Sequence, residues 1–482
     1  MAQRSRYMEE EDNRSKRRSN STERRRTSSQ TNSSRQRNTV RSERGQRTAA
    51  ENTQRRRTSS QNEEDFQHSE KRYSKRKKKE KRLQKLFRGI KSLFSGRNGL
   101  DRPFLCILMV LLVVGIGMMF SASYTYSYYT QKGDSYFFVT RQLIFATIGV
   151  AAMIVISFVN YRILSHPLVW SIVLLVAFIL LISVLFMPTI NGVHRWIDLG
   201  IGSFQASEVL KFALILACAR WNSSHFGEIN NTDKSRPFKE RMEHTLKYIV
   251  GPYLGIGGFS LFLLYEEPHY SCMVIVVLLL AVMLFASGLN LKWFVFGGAA
   301  VAAIILFLYF TDSLQYAMER VGGWGRALDD NLSEDMQWDV WQTMNSLYAI
   351  GSGGLTGLGL GQSRQKYLYL PEPQNDFVFA IVVEELGFIG GVIILLAFAV
   401  LVYRGFKISL NAQDRFGKLL GVGLISQIGI QVVINILVVT DTLPNTGISL
   451  PFFSYGGTSL LMLLVQMGII LSISRSAGIE KQ

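Results

Sequence analysis

Apolar residues are nearly missing from the first 82 positions of this chain. A segment that cannot bury apolar surface cannot offset its chain entropy, so a folded N-terminal domain is excluded and residues 1–80 are expected to be disordered. No stretch near the start reads as a secretory signal peptide, so the first apolar stretch is expected to stay in the protein as a span. Cysteine is scarce too: Cys106, Cys218 and Cys272 each fall inside an apolar segment, which excludes a disulfide framework. An excess of charge of either sign is absent from the body of the chain. Residues 1–103 hold 31 Lys and Arg against 13 Asp and Glu, a net +18, whereas the remainder holds 22 against 23, a net −1. The formal +17 therefore describes the tail alone. A tail of that charge suits an anionic membrane surface, a reading favoured here over a nucleic-acid arm.

What is present is membrane-spanning sequence. Residues 81–103 form a basic amphipathic juxtamembrane segment: Leu83, Leu86, Phe87, Ile90, Leu93 and Phe94 recur at helical spacing, with Lys81, Arg82, Lys85, Arg88 and Lys91 on the other face. A span needs about 20 apolar residues. Ten stretches qualify, near 104–123, 137–159, 167–187, 205–222, 246–265, 270–287, 291–310, 377–402, 417–440 and 455–474. The expected fold is an all-α integral membrane protein, with the ten-helix body over 104–475 and a short cytoplasmic C-terminus over 476–482. Lys and Arg concentrate in segments 219–247 and 403–418, on the same side as the tail. Both termini are then cytoplasmic, and the large loop 311–376, between spans 7 and 8, faces outside. A reaction on that face has no nucleotide supply and must use an activated substrate or an ion gradient.

Three constellations carry chemistry. In the first, Asn191–Gly200 with His194, Arg195 and Trp196 leads to Gln205-Ala206-Ser207-Glu208-Val209-Leu210-Lys211. Glu208 and Lys211 share one helix face inside a span, where charge lines a cavity or neutralises a partner. The second is the large loop, with glycines at 351, 353, 354, 357, 359 and 361, then Ser363-x-x-Lys366, ending in Leu370-Pro371-Glu372-Pro373-Gln374-Asn375-Asp376. The glycines permit tight turns and close approach to a ligand. No Gly-Lys-Ser/Thr follows, which excludes a nucleotide phosphate loop. Ser363-x-x-Lys366 matches a serine-acylation pattern, but its Lys-Thr-Gly companion is absent. Asp376 stands where a polar loop enters an apolar helix, a place for a general base or for a helix N-cap. Glu384 and Glu385 follow two turns deeper. The third constellation, Leu443–Gly447 and Leu450–Ser459, reads as a rigid turn lining the same cavity.

Together these segments resemble the SEDS family (shape, elongation, division and sporulation), which includes FtsW, RodA and SpoVE, over about 104–475. The resembling motifs are His194-Arg195-Trp196-Ile197-x-Leu199-Gly200 with Gln205-x-Ser207-Glu208-x-x-Lys211, Ala349–Gly354, Leu370-Pro371-Glu372-x-x-x-Asp376-Phe377 with Glu384-Glu385-Leu386-Gly387, and Leu450-Pro451-Phe452-x-Ser454-Tyr455-Gly456-Gly457. The Leu370–Phe379 stretch is closer to FtsW and SpoVE than to RodA. Two departures stand out: Ala206 where the family often has Pro, and Glu267-Pro268-His269-Tyr270-Ser271-Cys272 where it often has Glu-Pro-Asp-x-Gly-Thr.

The resemblance implies a peptidoglycan glycosyltransferase in the cytoplasmic membrane that polymerises lipid II in septal or sporulation wall synthesis. It implies Asp376 as the catalytic acidic residue, and Arg195, Glu208, Lys211, Ser352, Lys366, Glu372 and Ser454 as substrate-binding. A divalent cation, Mg or Mn, is a candidate helper at the pyrophosphate, with its ligands unassigned. The implied partners are lipid II, a class B penicillin-binding protein acting as transpeptidase, and other division proteins, with no nucleic acid. The rival readings are a lipid II flippase and a non-catalytic division scaffold.

Overall fold

The protein is described here from a computed structural model. It describes residues 100–187, 195–198, 203–230, 238–289, 292–295, 297–299, 302, 322–329 and 334–477. The basic tail, the segment 81–99 and most of the span expected at 291–310 lie outside the described residues.

The chain is mostly helical. In order come α1 (Arg102–Thr130), α2 (Phe137–Phe158), α3 (Pro167–Leu185), α4 (Ala206–Ser224), α5 (Phe226–Asn230), α6 (Phe238–Thr245), α7 (Phe259–Glu266), α8 (Tyr270–Ala286), α9 (Glu334–Gly353), α10 (Val378–Leu410), α11 (Arg415–Val439) and α12 (Gly457–Ala477). Among the described residues α1, α2, α3, α10, α11 and α12 are long and apolar enough to cross a membrane. A seventh crossing results if Glu243–Val250 and Tyr253–Glu266, bent by 47°, act as one. Helix α4 falls on the expected fourth span but is more polar, and α8 has only 17 residues.

Two features differ from the sequence expectation. The all-α reading missed a small antiparallel hairpin, β1 (Trp196–Asp198) and β2 (Ser203–Gln205), with Trp196 opposite Gln205. The large loop also contains a 20-residue helix, α9.

Helix starts follow local chemistry. Asp101 caps α1 by accepting from Phe104 N at 2.9 Å, with Pro103 in the first turn. The same carboxylate pairs with Arg404 at the far end of α10, and Asp101 N donates to Ser474 Oγ of α12 at 3.0 Å. This latch ties the start of the membrane body to two later helices.

The core sits around α11 and α12. In each, 72% of the apolar window is buried, against 22% in α2 and α3, which leaves the outer helices to face lipid. Glycines let the centre close up: a Cβ at Gly468 would lie 2.8 Å from Met153 O of α2.

Helix α10 is broken. Gly387 has φ 73° and ψ −178°, which separates a wholly buried piece, Val378–Glu385, from a lipid-exposed rod beginning at Phe388. A break at membrane depth strands backbone groups that need partners. The glycine-rich chain after α9 supplies them. Leu358 N and Gly359 N donate to Glu384 O and Glu385 O, at 2.9 and 3.0 Å. Phe388 N and Ile389 N donate to Gly354 O and Leu355 O, at 2.9 and 3.1 Å. The fit excludes side chains: a Cβ at Gly353, Gly357 or Gly387 would come within 2.2 to 2.3 Å of backbone atoms across the joint. The close approach anticipated for these glycines is therefore to α10, and the run is a backbone splice.

Candidate active site

A cavity of about 300 Å³ gathers the three constellations. Arg195, Trp196 and Gln205 reach it from the hairpin, and Ser207, Glu208 and Lys211 from the first turns of α4. His269, Ser271 and Cys272 reach it from the start of α8, and Gln431 from α11. Glu372, Asn375 and Asp376 enter from the end of the large loop, and Asn445 with Gly447, Ile448 and Ser449, and Tyr455 and Gly456 with Thr458 and Ser459, close the remaining wall.

Lys211 Nζ donates to Glu208 Oε1 at 2.8 Å, with both side chains buried. The pairing needs only the three-residue helical spacing. Glu208 Oε2 has no hydrogen-bond partner among the described residues, and neither have Ser207 Oγ, His269 Nδ1 or Gln431 Oε1. Such groups carry a desolvation cost unless a ligand meets them.

Asp376 is half-buried and lines the cavity. It is not the N-cap of α10; that position is Phe377, which makes no side-chain capping bond. Its backbone is held instead. Asn435 Nδ2 of α11 donates to both Asp376 O and Ile448 O, at 2.7 Å each. Gly447, at φ 66°, leaves space for the carboxylate; a Cβ there would lie 3.0 Å from Asp376 Oδ2. One turn upstream Glu372 takes a left-handed φ of 44° and accepts from Asn375 Nδ2 at 2.8 Å and from Tyr126 OH at 3.4 Å.

Charge at the hairpin end is also arranged. Arg195 donates to Pro268 O in the turn between α7 and α8. In that turn burial pushes the Glu267 carboxyl up to about 8, against the opposing pull of Arg195. Burial holds the neighbouring His269 well below its ordinary value, helped by the charges of Arg195 and Lys211. At neutral pH both groups favour the uncharged form, so neither adds charge beside Arg195.

A family model described as a cell cycle protein, covering FtsW, RodA and SpoVE, matches residues 102–478. The chain belongs to that family. It is 40% identical over 379 residues to stage V sporulation protein E of Bacillus subtilis strain 168, covering 78% of this chain and 97% of the relative. It is 34% identical to a probable peptidoglycan glycosyltransferase FtsW of Trichlorobacter lovleyi, covering 79% and 94%. Among solved structures it matches the rod shape determining protein RodA of Thermus thermophilus, at TM-score 0.51 and 26% identity over 78% of this chain and 97% of that one. A chain from a peptidoglycan synthase complex that coordinates polymerization and crosslinking shares the fold, at TM-score 0.58 and 23% identity, over 78% and 98%.

Of the family-matched residues, Arg195, Glu208, Lys211, Glu372 and Asp376 converge on the cavity. Ser454 lines a smaller adjoining space that Glu208 and Gln431 share, and its hydroxyl accepts from Leu450 N at 2.7 Å, holding its own turn. Ser352 and Lys366 do not line the cavity. Lys366 Nζ pairs with Glu385 Oε1 at 2.9 Å, beside Ser121 of α1, which donates to both Glu385 oxygens at 2.7 and 2.8 Å. Ser363 Oγ donates to Glu384, which also accepts from Arg364 N at 2.8 Å and from Ser352 Oγ at 3.4 Å. The buried Glu384 and Glu385 thus clamp the loop to the broken helix, and Ser363, wholly buried, cannot serve as an exposed nucleophile.

Sequence reasoning missed Asn435 and Gln431. A signal was present: Gln427, Gln431 and Asn435 recur every four residues in an otherwise apolar span, one inward polar stripe.

Proposed function

We propose that this protein is a peptidoglycan glycosyltransferase that polymerises lipid II on the outer face of the cytoplasmic membrane. The observation that carries the reading is the half-buried carboxylate of Asp376 on a cavity whose other walls present Arg195 and Lys211. The names of the FtsW relatives support the same activity.

Asp376 takes the proton from the acceptor sugar's 4-hydroxyl as that oxygen attacks the anomeric carbon of the donor. The carbon–oxygen bond to the diphosphate breaks, and the configuration at that carbon inverts. Arg195 and Lys211 offset the charge released on the diphosphate. Glu208 orients the Lys211 ammonium, and Asn435 orients Asp376. A divalent cation, Mg or Mn, would help neutralise the diphosphate where bound; among the described residues no group of three His, Cys, Asp or Glu side chains is placed to hold one by itself.

In this reading both termini are cytoplasmic, ten spans cross the membrane, and the tail lies on anionic lipid. The likeness to SpoVE and FtsW supports a septal or sporulation role. The fold shared with a peptidoglycan synthase chain supports pairing with a cross-linking class B penicillin-binding protein.

The test is polymerisation by purified protein with its transpeptidase partner, given lipid II in detergent. Wild type should give glycan ladders on a gel. Asp376→Ala should give none while folding and binding its partner normally. Ladders from that variant would remove the base assignment.

A further inference from the structure

We propose that the loop Gly354–Tyr369 is a membrane-interface element that lies in the leaflet on the Asp376 side and meets phospholipid directly. The claim stands on the placement of the spans, and holds whatever chemistry Asp376 performs.

Two independent marks fix the depth of this loop. The first is the splice at Gly387. Phe388–Leu410 is a 23-residue rod. Arg404 in its last turns pairs with Asp101 at the start of α1, so from that edge the rod reaches Phe388 over 16 residues, about 24 Å at about 1.5 Å per residue, most of a hydrocarbon core of about 30 Å. Phe388 therefore stands near the hydrocarbon edge, and its N–H bonds Gly354 O directly. The second mark is Ser121, whose hydroxyl bonds Glu385 and lies 3.3 Å from Lys366 Nζ. Ser121 comes 19 residues after Arg102 on α1, about 28 Å along the axis, so it too stands near the far edge of the core. The exposed Tyr124, Tyr128, Tyr129 and Tyr136 cluster beyond it, as an aromatic belt does.

At that depth the loop shows apolar side chains outward. Leu355 is 69% exposed and Leu360 68%, comparable to the lipid-facing Phe388 at 61% and Ile389 at 51%. Tyr367, Leu368 and Tyr369 are exposed as well. In water these would be an aggregation liability; at the interface they are anchors. The patch continues the lipid-facing side of α10, with Ile393 and Leu396 following Phe388 and Ile389. The exposed Arg364 stands beside Tyr367 and Tyr369 at one concave space, where a guanidinium suits a lipid phosphate. The loop keeps its own polar backbone on the protein side through the splice and the Glu384 clamp, which is what allows non-helical chain at this depth.

The test uses the full chain in phospholipid vesicles, with Cys106→Ser removing the exposed native thiol. A bimane is attached in turn to Leu355→Cys, Leu360→Cys, the lipid-facing reference Ile393→Cys and the loop reference Asp329→Cys. Leu355→Cys and Leu360→Cys should be quenched by acyl-chain nitroxide lipid to within about twofold of Ile393→Cys, and by iodide at least threefold less than Asp329→Cys. Iodide quenching equal to Asp329→Cys without nitroxide quenching would overturn the proposal. So would shielding from iodide that arises only when a partner membrane protein is added, which would assign the patch to that partner. Hydroxyl-radical footprinting of unmodified protein in vesicles guards against misfolded variants: Tyr367 and Tyr369 should be oxidised at least threefold less than the exposed loop residue Trp324, and oxidation equal to Trp324 would also overturn it.

Discussion

One amide of Asn435 reaches the carbonyls of Asp376 and Ile448 at 2.7 Å each, so a single buried side chain sets where the proposed base stands relative to the opposite cavity wall. Asn435→Ala removes both bonds and leaves two carbonyls unsatisfied. A stability loss of about 1–3 kcal/mol is expected. A small shift of the reacting group should lower kcat by about 10–100-fold. Lipid II KM should stay near wild type, because Asn435 does not line the cavity. Single-turnover polymerisation with and without saturating substrate checks the split; a change in KM alone would argue against a positioning role.

Lys366 and Glu385 form a buried ion pair 2.9 Å apart. Removing one partner strands the other charge, so Lys366→Met and Glu385→Gln should each cost about 3–5 kcal/mol. The double variant should cost less than the sum. Denaturant unfolding in detergent measures the coupling. Since Lys366 lies off the cavity, polymerisation by whatever fraction stays folded should keep its lipid II KM; a raised KM would restore Lys366 to substrate binding.

The glycines after α9 should not be equivalent. Gly357 combines φ 80° with a Cβ position 2.2 Å from Glu385 O, whereas Gly361 has φ 76° with open space around it. Gly361→Ala should cost only the left-handed penalty, about 1–2 kcal/mol. Gly357→Ala should prevent the splice and abolish folding or lower Tm far more. A thermal-shift comparison of the two decides it.

Stability should fall between pH 6.5 and 8. The Glu267 carboxyl, pushed up to about 8, stays protonated in the fold over a range where the unfolded chain has lost that proton. Its contribution is therefore complete below the ordinary carboxylate value of 4.5 and lost as pH rises to about 8. His269, held below 6.5, acts oppositely: its contribution is present above 6.5 and lost as pH falls. The two offset each other on the acid side, leaving Glu267 alone above 6.5. Glu267→Gln should flatten the alkaline fall, read as Tm against pH.

Helix positions were legible because spans are written as uninterrupted apolar length, and α1, α2, α3, α10, α11 and α12 lie where that length is. The convergence of Glu208, Lys211 and Asp376 was legible too, since charge in or beside a span has few places to go. The break at Gly387 was not. Its neighbours read as continuous helix, and the partners that make it stable lie some 30 positions earlier, bonded through main chain rather than side chains. Asn435 escaped for a related reason: an amide among apolar residues announces that it has a partner but not which one. Lys366 was read as a substrate contact from its charge, whereas in the structure it pairs with Glu385 away from the cavity, a placement that spacing alone does not reveal.

The splice between the α9 exit and α10 has a further consequence. A joint sewn from peptide groups offers mutation nothing to whittle away gradually. Swapping residues around it leaves the stitching intact, and only an intruding carbon tears it. Its tolerance of change is thus all-or-none, and the rim above it inherits a stiffness that drifting side chains can neither sharpen nor erode.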